Sequence, residues 1–143
     1  MSHSFEINVH FKEGLRGEVT PEGVPYVVPF SVPREFGGPG GEWTPEHFFA
    51  ASLGTCVMAT FLSIAQASKL PIAGYESRVT CTMDKVDGGL RMTAVALAPR
   101  ILVKEEKDRE RAQRMIEKAE KMCPISNSVK AAVTLQASVE VRG

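Results

Sequence analysis

Three cysteines, Cys56, Cys81 and Cys123, carry the chemistry this sequence can offer most readily. A thiolate can serve as nucleophile, metal ligand or redox centre, and its neighbours decide which. The histidines are His3, His10 and His47; none has helical or knuckle spacing with a cysteine, and the chain has no C-x-x-C or H-E-x-x-H. No metal site is therefore expected, and a Cys-His hydrolase would have to draw its base from the same three histidines. Thiol redox chemistry remains. Cys123 stands at a Cys-Pro junction, where the backbone is pushed out of the α region and the side chain can be aimed. It lies 67 residues beyond Cys56. The two could pair only if their elements pack together and bring the Cα atoms within roughly 4.4–6.8 Å. Cys81, in mid-strand on an apolar face, reads as core. For Cys56 alone, a small buried hydrophobe stands beside the reactive reading.

The element that must position Cys56 is the stretch 44–70, which reads as one long helix with no charged residue from Phe48 to Ser68. Thr44 suits the N-cap, Pro45 the first helical position, and Glu46 the positive end of the dipole; Pro71 ends the run. A helix apolar nearly all round must be covered nearly all round, by its own sheet and by a second subunit. The run is long enough to span a membrane, at about 20 residues. Ser52, Thr55, Thr60, Ser63, Gln66 and Ser68 and the lack of basic flanks favour a buried core helix instead. Cys56 lies over three turns from the N-cap, beyond the reach of the helix dipole.

Around this helix the alternation of apolar residues predicts strands. Residues 4–12 place Phe5, Ile7, Val9 and Phe11 on one face, as a half-buried strand, and a return strand begins near Glu18-Val19 after the turns at Gly14 and Gly17. Residues 24–32 alternate with Pro25, Pro29 and Pro33 on the polar side, which predicts an edge strand or one that ends against a loop. The glycine-rich 34–43 segment has no phosphate-binding signature and reads as a loop. Residues 75–84 and 90–103 form a hairpin around Asp87-Gly88-Gly89, with Pro99 expected to bulge or break the second strand. Residues 105–122 form an amphipathic helix with Ala112, Met115, Ile116, Ala119 and Met122 on its apolar face, 125–131 a short helical turn, and 133–141 the last strand. The order β-β-β-α-β-β-α-β predicts an α+β fold with largely antiparallel sheet, in a single domain over 1–143.

The 143 residues include 17 Lys or Arg and 17 Asp or Glu, so the formal charge is zero. With no basic stripe, neither nucleic acid nor an anionic membrane is an expected partner. The N-terminal stretch lacks an apolar core, so no signal peptide is expected. An odd number of cysteines then favours a reducing, cytoplasmic setting over a disulfide framework.

Residues 36–56, F-G-G-P-G-G-E-W-T-P-E-H-F-F-A-A-S-L-G-T-C, resemble the loop and central helix of the OsmC/Ohr proteins, the osmotically inducible and organic hydroperoxide resistance proteins. Residues 123–129, C-P-I-S-N-S-V, resemble their second cysteine motif. The order of elements agrees over essentially the whole chain. The resemblance implies an intertwined homodimer with composite sites at the interface, acting without a cofactor as a thiol peroxidase on organic hydroperoxides. It implies Cys56 as peroxidatic cysteine, Cys123 as resolving cysteine, Glu46 as acidic partner and an N-terminal arginine, Arg16 or Arg34, with Arg16 the better match. It also implies a dithiol reductant such as a lipoyl group. The stretches S-L-G-T-C and P-R-E-F-G-G are more similar to the OsmC-like branch. That keeps a second reading open, a dimeric stress-related binding protein of the same fold without efficient peroxidase activity.

Physical chemistry constrains these implied roles. An ordinary thiol has a pKa of about 8.5, so a cation such as Arg16 is needed to enrich the thiolate at neutral pH. A carboxylate acting alone would do the reverse, so Glu46 fits better as orienter of the arginine or as proton acceptor. Ten residues of helix span about 15 Å, which keeps Glu46 from its own Cys56 if both lie in regular helix. A site completed by the partner subunit follows as an expectation.

Overall fold

A computed structural model describes residues 1–142 and divides the chain into two compact units, Met1–Phe49 and the remainder from Ala50 onward. In the first unit, β1 (Ile7–Glu13), β2 (Arg16–Pro21) and β3 (Val28–Ser31) form an antiparallel sheet in the order β1-β2-β3. The return strand starts at Arg16, two residues before the expected point. Gly14, at φ 52°, supplies the left-handed conformation that closes so tight a turn. The proline-rich strand is shorter than its alternation suggests. It lies at one edge of the sheet and ends against a loop, where the Ser31 N–H donates to the Trp43 carbonyl at 2.9 Å. The expectation of a half-buried β1 is corrected: all seven of its residues are exposed. The alternation is real, but within the first unit its apolar face is left uncovered; Phe5 is 95% and Phe11 78% exposed.

The long helix α1 (Pro45–Ala67) starts one residue after Thr44, as its cap chemistry requires. The Thr44 hydroxyl accepts from the His47 N–H at 3.3 Å, and His47 Nδ1 accepts from the Thr44 N–H at 3.0 Å. This is a reciprocal capping box with histidine in the place usually held by Glu or Gln. Trp43 stacks on Phe48 at 5.3 Å between centroids, and Phe30 meets Phe48 edge-on at 6.4 Å, which fixes the helix start against β3. The helix stops at Ala67, three residues short of expectation. Lys69 takes a left-handed φ of 56° and Leu70 donates back to the Ala65 carbonyl at 2.8 Å, a stop usually made with glycine. Along α1 only Leu53, Val57, Phe61 and Ala65 are buried, a single stripe at intervals of four.

In the second unit, β4 (Gly74–Val86) and β5 (Gly89–Val103) form a long antiparallel hairpin. Asp87 and Gly88, at φ 50° and 84°, make a two-residue turn with both φ values positive, the geometry that matches strand twist. Pro99 does not break β5, contrary to expectation; the irregularity lies at Thr82/Met83 instead. The reason lies on the far side of β5. The expected last strand is in fact two, β6 (Ala132–Leu135) and β7 (Ser138–Val141). β6 pairs with 94–97 and β7 with 100–103, so Pro99 falls in the gap where that ladder is already interrupted. Both pairings are parallel, because the crossover through α2 (Arg109–Met122) returns the chain in the same direction. The sheet is therefore mixed. α2 buries Ala112, Ile116 and Ala119, while Met122, expected on that face, is exposed.

Candidate active site

The second unit brings two of its three cysteines together. Cys56 sits in the middle of α1, half-buried, and Cys123 is the fully buried residue that ends α2. The sequence around Cys123 explains how the thiol is held. Pro124 stops the helix, and Cys123 turns to an extended conformation, φ −62° and ψ 117°. The following polar residues then pin a 3-10 turn over Ser126–Ser128. The Ser128 hydroxyl donates to the Pro124 carbonyl at 2.7 Å, the Asn127 amide to the Lys121 carbonyl at 3.0 Å, and the Ser126 hydroxyl to Glu120 Oε1 at 3.0 Å. The turn also aims the Ser126 backbone N–H at Cys123 Sγ, at 3.3 Å.

The Cys123 thiol lies close enough to Cys56 for Cys56 to act on its ionisation. Burial pushes the Cys123 pKa up, and the hydrogen bond and charge of Cys56 push it further; the Ser126 and Ile125 amides act the other way and are outweighed. Cys123 is therefore the thiol held protonated and out of water, and Cys56 is the one that solvent can reach. That asymmetry suits two-step chemistry: the accessible sulfur meets the oxidant, and the buried thiol condenses with the product. Cys81 is half-buried in β4 opposite Val95, with its thiol pKa also raised by burial.

The first unit holds the implied charged residues. Arg16 opens β2, and its guanidinium donates to Glu42 Oε1. Glu42, not Glu46, is thus the carboxylate paired with Arg16 in this unit. Glu46 Oε1 is buried and has no hydrogen-bond partner. Arg34 lies over Gly40, where a Cβ would stand 2.4 Å from the guanidinium, and has no carboxylate partner among the described residues. An open cleft of about 400 Å³ is lined by Glu13, Gly14, Leu15, Arg16, Gly37 and Pro39. Glu42 was not singled out by sequence. Its one signal was an acid placed directly after the glycine run, four residues before Glu46. Among the described residues no three His, Cys, Asp or Glu side chains cluster in a way that could hold a metal ion.

Comparison with known proteins gives one consistent result. The family model described as OsmC-like protein matches residues 38–138. An organic hydroperoxide resistance protein-like 2 of Staphylococcus saprophyticus is 29% identical over 96% of this chain and 96% of its own length. An organic hydroperoxide resistance protein of Xanthomonas axonopodis is 32% identical over 70% of this chain and 69% of its own. Peroxiredoxin OsmC of Escherichia coli is 30% identical, covering 87% and 85% respectively. Among solved structures, an OsmC-like protein of unknown function from Vibrio cholerae superposes with a TM-score of 0.86 at 20% identity, covering 95% of this chain and 99% of that one. At that identity the superposition establishes the fold alone.

Proposed function

The chain belongs to the OsmC-like protein family, and from that premise we propose that it is a cysteine-based peroxidase reducing organic hydroperoxides. The observation that carries this reading is the thiol pair, one half-buried and one fully buried, close enough that Cys56 acts on the ionisation of Cys123. The names of the relatives support a peroxide-reducing role for the family. The Cys56 thiolate attacks the terminal oxygen of the hydroperoxide, the O–O bond breaks, and the alkoxide leaves as alcohol after taking a proton. Cys56 is now a sulfenic acid. The Cys123 sulfur attacks the Cys56 sulfur and expels water, giving a Cys56–Cys123 disulfide. An external dithiol, of which a lipoyl group is an example, returns both thiols to the reduced state. Arg16 would favour the thiolate, and Glu46, whose buried Oε1 has no hydrogen-bond partner among the described residues, would take up a proton. The free thiols suit a reducing compartment such as the cytoplasm.

A homodimer is part of this reading. α1 is long and apolar enough to cross a membrane by length and composition alone. Its interspersed serines, threonines and glutamine, together with the uncovered apolar face of β1, favour a second copy of the chain as cover. Arg16 and Glu46 would then complete the site of one subunit or the other.

The test is one equivalent of cumene hydroperoxide added to reduced protein, followed by thiol titration and intact mass. Loss of two thiols and two hydrogens, abolished in Cys56→Ser, is the expected outcome. Oxidation no faster than that of a free thiol would favour the binding protein, a reading that the pairing of Arg16 with Glu42 also serves, since a neutralised cation does less for a thiolate. Repeating the titration with hydrogen peroxide sets the preference.

A further inference from the structure

We propose that Glu42 is the positioning residue for Arg16; the inference rests on the reading in which Arg16 is the cation that favours the Cys56 thiolate. Four observations within the first unit meet at this point. Arg16 stands directly opposite Ser31 across the β2–β3 ladder. The Ser31 N–H donates to the Trp43 carbonyl at 2.9 Å, which ties the residue next to Glu42 to the same strand. The Arg16 guanidinium donates to Glu42 Oε1, and the two side chains differ in cover: 46% of Arg16 is exposed and only 14% of Glu42. Finally, Glu42 Oε2 and the fully buried Ser31 Oγ both lack partners.

These facts describe a largely covered carboxylate and a half-exposed cation. A guanidinium has five N–H donors in a rigid fork. Glu42 engages one side of that fork and holds a second oxygen in reserve, so it fixes the direction of the arginine and leaves the other donors available. Arg34, lying over Gly40 without a carboxylate, has no comparable anchor.

A carboxylate beside a cation has two opposed effects on a thiol that the cation serves. Its charge cancels part of the field and would keep the thiol protonated. Its hydrogen bond holds the guanidinium in place, which is worth more when the cation would otherwise be half in water and free to swing. The proposal is that positioning wins. Replacing Glu42 with neutral glutamine therefore has a sign that screening alone would reverse.

The experiment compares wild type with Arg16→Ala, Glu42→Gln and Glu42→Asp. Two readouts are taken: the stopped-flow rate with cumene hydroperoxide, and the pH midpoint of Cys56 alkylation by iodoacetamide, followed by peptide mass. Glu42→Gln is expected to slow oxidation about tenfold and to move the midpoint upward, in the direction of Arg16→Ala. Glu42→Asp should recover part of both. A midpoint that falls in Glu42→Gln makes Glu42 a mere neutraliser and overturns the proposal. So does a Glu42→Gln protein within twofold of wild type in both readouts while Arg16→Ala is impaired. If Arg16→Ala itself behaves as wild type, the underlying assignment of the cation fails, and this inference with it.

Discussion

The sheet of β1–β3 and the sheet of β4–β7 carry the same apolar alternation and receive opposite treatment. In β5, Val95, Leu97, Ile101 and Val103 are buried within one chain. In β1, Ile7 and Val9 are 56% and 60% exposed, although their pattern is as regular. Alternation records that a face needs cover; it does not record where the cover comes from. The thiol-bearing unit supplies its own. The unit that holds Arg16 and Glu42 leaves its face open, which is the physical reason for expecting a second subunit there.

The comparison breaks most visibly under core truncation. Phe61→Ala, at a fully buried position on the single covered stripe of α1, should cost about 3–5 kcal/mol in urea unfolding, with two-state behaviour checked by coincident probes. Phe11→Ala should leave monomer unfolding nearly unchanged, since its side chain is already in water. If β1 is an interface, Phe11→Asp should weaken dimerisation by roughly 1.5–3 kcal/mol per subunit, read by sedimentation over a concentration series. A wild-type protein that stays monomeric at high concentration would remove the contrast.

Turns give a smaller effect. Gly14→Ala and Gly88→Ala each force an L-residue to positive φ, at about 1 kcal/mol. Gly88→Ala should appear in the main unfolding transition, whereas Gly14→Ala should appear in hydrogen exchange of β1 and β2. The smallest effect is a slope. The folded-state pKa of Cys123 is raised, so its stabilising contribution is complete below the ordinary thiol value of about 8.5 and is lost as pH rises through the folded value. Wild type should therefore lose stability above that pH more steeply than Cys123→Ser. Cys81 tilts both curves in the same direction, so the difference between them is the measurement.

Local chemistry was legible in the sequence and long-range pairing was not. Thr44, Pro45 and Asp87-Gly88 announced a helix start and a hairpin because caps and turns are decided within a few residues. Pro99 misled because its cost depends on a neighbouring strand forty residues away. The split of the last strand and its parallel pairing have the same origin. For the candidate site, the two cysteine motifs singled out Cys56 and Cys123, while the 67-residue spacing by itself said nothing of their proximity. The Arg16–Glu42 pair was hidden because it joins a strand start to an irregular loop, and no periodicity links those two places.

Pro99 has one more consequence, for the order in which the molecule opens. On one side β5 is zipped to β4 from Gly89 to Leu102; on the other it carries two short tabs, each spanning four residues of β5. A ladder perforated in this way can tear at the perforation. β7 can lift from 100–103 while β6 stays seated on 94–97, and the β4–β5 zipper need not notice. Amide protons along β7 should therefore exchange sooner than those of β4, so that the sheet breathes at its short tab before its long hairpin.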